Sequence, residues 1–174
     1  MKTIYLARHA KSSWDSDATT DYDRPLSKRG EKDVIRMGAE LVDLAWMPEK
    51  IISSPAMRAK QTCESLCSQL GISNDSIEWN EDIYAAYTVT LLQIISNQVE
   101  SVSSVMLVGH NPAMEDLLVH FCGADQLCER MQSNGKLFTT GNVAKITLDT
   151  SWENWVMGDA ILEGLLRPNL LSGN

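Results

Sequence analysis

The 174-residue chain has no apolar stretch approaching the roughly 20 residues of a membrane-spanning helix. Its opening run, Thr3 to Ala7, is too short for the core of a secretory leader, and no small-residue cleavage pattern follows it. The four cysteines, Cys63, Cys67, Cys122 and Cys128, form no paired CxxC knuckles, so neither a metal ribbon nor a secreted disulfide scaffold is expected. Basic side chains are outnumbered, 15 against 23 acidic ones, for a formal net charge of -8. Nucleic-acid binding through phosphates needs the opposite balance. The five tryptophans and eight methionines make no aromatic ladder with basic residues between them, which argues against a single-strand-binding surface. Repeats, low-complexity tracts and Pro/Gly-rich linkers are also missing. What is there is ordinary, 44% apolar and 22% charged. That composition predicts one globular domain over residues 1–174, soluble and cytoplasmic, with no membrane or nucleic-acid partner.

Strand-like apolar runs alternate with segments of helical period, which predicts an α/β domain. Thr3 to Ala7 reads as a strand feeding Arg8 and His9, Lys50 to Ser53 as a second, and Val102 to Val108 as a third that runs into Gly109 and His110. Between the first two, Val34, Met37, Gly38, Leu41 and Ala45 share one helical face, with Ser27 as N-cap. Ala59, Cys63, Leu66 and Leu70 form a second stripe, on which Cys63 serves as a small hydrophobe. Leu91, Leu92, Ile95 and Val99 suggest a further helix, and Val143 to Leu148 and Trp155 to Met157 suggest late strands. Leu162, Leu165 and Leu166 are spaced for a last helix or a docking contact, and Leu170 to Asn174 for a frayed end. His120 reads as structural.

Ser54-Pro55 and Asn111-Pro112 each place a good N-cap before a proline at a strand-to-helix junction, where unpaired N–H groups and the helix dipole favour an anion. In open α/β sheets, ligands settle beyond the carboxyl ends of the strands. Arg8, His9, Arg58 and His110 all sit at such ends, so a parallel sheet lets them converge. Two arginines offer permanently charged forks for phosphate or carboxylate oxygens. A neutral histidine beside them can attack phosphorus, and His110 can donate to the developing charge.

Three segments then carry a resemblance. Ala7-Arg8-His9-Ala10, the run Ser53-Ser54-Pro55-Ala56-Met57-Arg58-Ala59-Lys60-Gln61-Thr62, and Val108-Gly109-His110-Asn111-Pro112 resemble, in order, the motifs of the histidine phosphatase superfamily. Asp23-Arg24-Pro25-Leu26-Ser27-Lys28-Arg29-Gly30 resembles the family's stretch opening its first helix. The resemblance implies a phosphoglycerate mutase-like fold: a three-layer α/β/α domain around a mostly parallel sheet. It implies that His9 carries the phosphoryl group, that Arg8 and Arg58 bind it, that His110 lies on its other side, and that no metal or other cofactor takes part. Glu81 matches a position where several members carry a catalytic carboxylate, with Asp82 as its competitor. Ser12, Asp15, Arg24 and Asn111 are further candidates to bind phosphate or substrate. Ala10 departs from the family's glycine, which leaves the local backbone shape open.

The short chain, with no room for a cap domain between Thr62 and Glu81, most resembles the SixA-type phosphohistidine phosphatases. That implies a phosphohistidine on a partner protein as substrate. The segment Lys11-Ser12-Ser13-Trp14-Asp15 resembles its mutase counterpart, with an acid in place of asparagine. A small-molecule phosphomonoesterase or mutase-like enzyme is therefore the alternative, followed by a non-catalytic phosphate-binding module.

Overall fold

The computed structural model describes residues 1–171. Its strands are β1 (Lys2–Arg8), β2 (Lys50–Ser53), β3 (Ile77–Trp79), β4 (Ser104–Gly109), β5 (Val143–Leu148) and β6 (Ile161–Leu166). Its helices are α1 (Lys28–Asp43), α2 (Met57–Leu70), α3 (Thr88–Ser96) and α4 (Ala113–Cys128). One sheet has the order β3-β2-β4-β1-β5-β6. β3, β2, β4 and β1 pair in parallel, while β5 runs antiparallel to both neighbours. The mostly parallel sheet is thus as expected. Among the described residues, no helix is long and apolar enough to cross a membrane.

The central strands are continuous apolar runs because both their faces are covered. Ile4, Leu6, Ile52, Val105 and Leu107 point into a core filled by α3 and α4 through Leu91, Ile95, Met114, Leu117 and Phe121. Their neighbours Tyr5, Ala7, Ile51, Met106 and Val108 point the other way, onto Val34, Met37 and Leu41 of α1 and Cys63 and Leu66 of α2. Period-two alternation along each strand and period 3.6 along each helix therefore produce three layers. Cys63 sits on the buried stripe as expected.

Ser27 caps α1, its Oγ accepting from the Gly30 N–H at 3.1 Å. The Lys11 carbonyl, two residues beyond His9, accepts from both the Ser27 N–H and its hydroxyl. A Cβ on Gly30 would stand 2.1 Å from that carbonyl oxygen. Gly30→Ala is therefore expected to lower the unfolding free energy by about 1–3 kcal/mol, read as a lower thermal midpoint. An unchanged midpoint would show that the Lys11 carbonyl yields freely.

Several expectations are corrected. Ala45 and Val99 lie beyond their helices, which end at Asp43 and Ser96. Ala45 turns at φ 53° and swings Trp46 onto the core. Trp155 to Met157 is not a strand: the Trp155 indole donates to Ser96 Oγ and packs edge-on against Phe121, in a loop covering α3 and α4. Leu162, Leu165 and Leu166 belong to the edge strand β6, not to a helix. Gly164 lies between them, where a Cβ would stand 2.9 Å from the Trp46 ring, so the strand admits that ring only through a glycine. Of the expected frayed end, Leu170 closes a short 3-10 turn and residues 172–174 lie outside the described residues. His120 packs edge-on between Phe121 and Trp155, away from the strand ends.

Neither proline stands at a first helical position. α2 follows Ala56 and α4 follows Pro112, across a cis Asn111–Pro112 bond. Ser54 and Asn111 turn their side chains to other partners, described below, and the first N–H of α2 donates to the Tyr22 carbonyl.

Candidate active site

The carboxyl ends of β1, β2 and β4 lie side by side, with Arg8 opposite Gly109 and Ser53 opposite Val108. This register brings Arg8, His9, Arg58 and His110 together. The His9 N–H donates to the Gly109 carbonyl at 3.0 Å, pinning the chain where it leaves the sheet. His9 Nδ1 lies 2.7 Å from the Ala10 carbonyl, which only accepts, so Nδ1 carries the ring proton and Nε2 keeps its lone pair. Arg58 Nε donates to that Nε2 at 3.3 Å. The His110 ring stands 5.1 Å away, centroid to centroid. Ala10 is fully buried, and its N–H donates to Thr62 Oγ1. Its backbone has no positive φ, so alanine meets no glycine-only requirement there.

Arg8 donates from Nη1 to the Phe138 carbonyl at 2.9 Å. Asn111 Nδ2 donates to the same carbonyl, and Glu115 accepts from both Asn111 and the Phe138 N–H. This clasp holds the guanidinium. Arg8 Nε, His110 Nδ1 and Asn111 Oδ1 are buried without a partner among the described residues. Two potential donors thus stand free in a site that also holds an unprotonated imidazole nitrogen, a combination that suits a tetrahedral anion.

Electrostatics keep both rings neutral. Burial, reinforced by Arg58, Arg8 and Arg24, pushes His9 down to about 4 against the opposing Ala10 carbonyl. Burial, then His9 and Arg58, pushes His110 down to about 3. A neutral ring is a nucleophile and a protonated one is not.

The profile described as Histidine phosphatase superfamily (branch 1) matches residues 4–83. A structure from Agrobacterium tumefaciens, assigned as a phosphohistidine phosphatase SixA, superposes with a TM-score of 0.81 at 32% identity, covering 96% of this chain and 98% of that one. The chain belongs to the histidine phosphatase superfamily. This histidine phosphatase is also 28% identical to phosphohistidine phosphatase SixA of Escherichia coli K12, over 92% of this chain and 96% of the relative. It is 31% identical to an uncharacterised chloroplastic protein of Arabidopsis thaliana, over 97% of this chain and 78% of the relative. Its fold is phosphoglycerate mutase-like and its activity is that of a phosphatase.

The other residues singled out in the sequence occupy this phosphatase's rim. Arg24 donates from Nη2 to Ser12 Oγ at 2.7 Å and lies 3.3 Å over the Trp14 ring. Asp15 is exposed, its N–H on Ser13 Oγ, and among the described residues it makes no hydrogen bond to the histidines. Glu81 accepts from the Tyr22 hydroxyl at 3.0 and 3.2 Å. Tyr22 packs on Tyr84, and Tyr84 on His110, so the carboxylate joins the pocket through two phenol rings. The exposed Asp82 spends its N–H on Asn80 and makes no such link. Arg8 and Asn111 also border an open groove of about 410 Å³ with Lys11, Lys136 and Thr139.

Asp21 escaped notice in the sequence. Its carboxylate accepts from Arg58 Nη2 at 3.0 Å, Arg24 Nη1 at 2.9 Å and the Tyr84 hydroxyl at 2.9 Å, and its carbonyl accepts from Arg58 Nη1. Its partial burial works against ionisation, but Arg24, Tyr84 and Arg58 together hold it down at about 2. Asp21 thereby fixes the outward edges of two arginines and leaves Arg58 Nε facing His9. The signal available was an acid three residues before Arg24. The roles of the Phe138 carbonyl and Glu115 had none, because they depend on contacts 130 and 23 residues apart in the chain.

Proposed function

We propose that this phosphatase releases phosphate from phosphohistidine on a partner protein, without a metal, through a covalent phosphohistidine at Nε2 of His9. The observation that carries the reading is the fixed tautomer of His9: a ring proton held by the Ala10 carbonyl and a lone pair beside Arg58 Nε. In the first step Nε2 attacks phosphorus, the bond to the leaving imidazole breaks, and the leaving nitrogen takes the electron pair and a proton delivered by solvent. In the second, water attacks and returns a proton to solvent, the His9–phosphorus bond breaks, and Nε2 regains its lone pair. Arg8, Arg58 and His110 offset the equatorial charge, which is the main demand of phosphoryl transfer. Ser12, Arg24 and Asn111 shape the surrounding wall, and Asp15 meets substrate only from the exposed loop. Only six residues separate α2 from β3, so no inserted cap stands over the pocket between them, as access for a protein-borne phosphohistidine requires. Residues 1–174 act as one domain, and the proposed location is cytoplasmic, although the Arabidopsis relative is described as chloroplastic.

The test is phosphate release in EDTA from a phosphohistidine protein, beside p-nitrophenyl phosphate and 3-phosphoglycerate. Preferential release from phosphohistidine supports the reading. Turnover of small esters alone, or isomerisation of 3-phosphoglycerate, moves the assignment to the small-molecule alternative, and dependence on an added divalent ion removes the metal-free mechanism.

Glu81 is the proposed proton donor to leaving groups that need one. Glu81→Gln is expected to slow 3-phosphoglycerate hydrolysis on the order of 10²-fold while barely affecting p-nitrophenyl phosphate, whose leaving group departs as a stable anion. Equal losses on the two esters would remove Glu81 from that role.

A further inference from the structure

We propose that Ser54 is a positioning residue that holds His110 in the tautomer whose Nδ1 carries the proton, leaving Nδ1–H as a hydrogen-bond donor for the phosphoryl oxygens. The inference rests on the reading of the His9–His110 pocket as the phosphate site.

Ser54 is fully buried, and its Oγ lies 2.9 Å from His110 Nε2. The same oxygen accepts from the Ala56 N–H at 3.3 Å. A hydroxyl has one proton to give, and of these two neighbours only the imidazole nitrogen can accept it. Ser54 therefore donates to Nε2, and the neutral ring must carry its proton on Nδ1. The opposite arrangement, with Nε2–H donating to Ser54, leaves a buried hydroxyl proton with no acceptor among the described residues. It also leaves an unpaired, buried Nδ1 lone pair in the pocket shared with His9, where a phosphate oxygen needs a donor. His110 Nδ1 is itself buried without a partner among the described residues, as a donor reserved for substrate is expected to be.

The groups facing His110 are Arg8 and His9 from the end of β1, Arg58 from α2, Asp21 from the loop before α1, and Tyr84 after the Glu81–Ile83 turn. Burial and these cations outweigh Asp21 and keep the ring neutral. Hence the tautomer, and not the charge, decides whether Nδ1 donates at neutral pH. In Ser54→Ala the proton is free to move to Nε2 and the donor is lost.

The experiment has two readouts. In ¹⁵N spectra of the resting enzyme, which has only three histidines to assign, His110 is expected as Nδ1–H in the parent and shifted toward Nε2–H in Ser54→Ala. In kinetics, kcat of Ser54→Ala is expected to fall roughly tenfold or more across pH 6 to 8, with KM changed less. A parent ring protonated on Nε2, or a variant tautomer identical to the parent's, overturns the inference. A switched tautomer with unchanged turnover leaves Ser54 as the tautomer's anchor and refutes the donor role given to His110. A fall in activity with the parent's Nδ1–H tautomer retained assigns Ser54 a merely structural role and overturns the inference.

Discussion

His9→Ala is expected to lose turnover on every phosphorylated substrate by about 10⁴-fold or more while keeping its fold. The side chain is 7% exposed, and its Nε2 is the one ring nitrogen placed with a free lone pair against Arg58. His110 does not replace it, because its Nε2 is engaged by Ser54. The pH profile of the parent carries the same argument. His9 is pushed down to about 4 by burial and neighbouring guanidinium groups, so the lone pair persists through the neutral range. Activity is expected to hold from pH 8 to near 5 and to fall as pH drops through about 4, whereas a loss centred at 6.5 would mean a solvated ring. The linkage to stability has a definite sign. The folded value lies below the unfolded 6.5, so between the two the unfolded chain binds more protons, and stability declines as pH falls through that window.

The second large effect is at Arg58. This guanidinium touches His9 Nε2 through Nε, the Asp21 carbonyl through Nη1 and the Asp21 carboxylate through Nη2. Arg58→Ala removes a phosphate ligand and also leaves the Asp21 carboxylate less neutralised near an incoming dianion. A loss of about 10²–10³-fold in kcat/KM is expected, the magnitude typical of one preorganised donor to developing charge. Arg58→Lys should recover little, since one ammonium cannot span His9 and Asp21 together. Near-parental kcat/KM in the lysine variant would show that charge alone suffices and that the bridging geometry is incidental.

Much of this was legible in the sequence because it depends on short-range pattern. β1, β2 and β4 announce themselves as unbroken apolar runs, since parallel central strands are buried on both faces. Ser27 and the face through Leu41 mark α1 with its cap. The residues at the ends of those strands then follow from topology alone. The later chain was harder. Leu162, Leu165 and Leu166 have helical spacing, but the segment pairs antiparallel with β5, which local spacing does not reveal. Trp155 to Met157 has strand-like composition but serves as a cover over α3 and α4. In the site, Arg8, His9, Arg58 and His110 could be named from their motifs, whereas Asp21, Tyr84 and the Phe138 carbonyl act through contacts that no local pattern encodes. Ser54 has the type and place of a helix cap, but its hydroxyl is given to His110 and not to α2.

The most direct test of the central claim is an alkaline quench of the enzyme during turnover of ³²P-labelled substrate, followed by peptide mapping. Label on the peptide bearing His9, stable in alkali and lost in acid, is the predicted result. Label on another residue, or turnover with no label on that peptide at any time point, would contradict it.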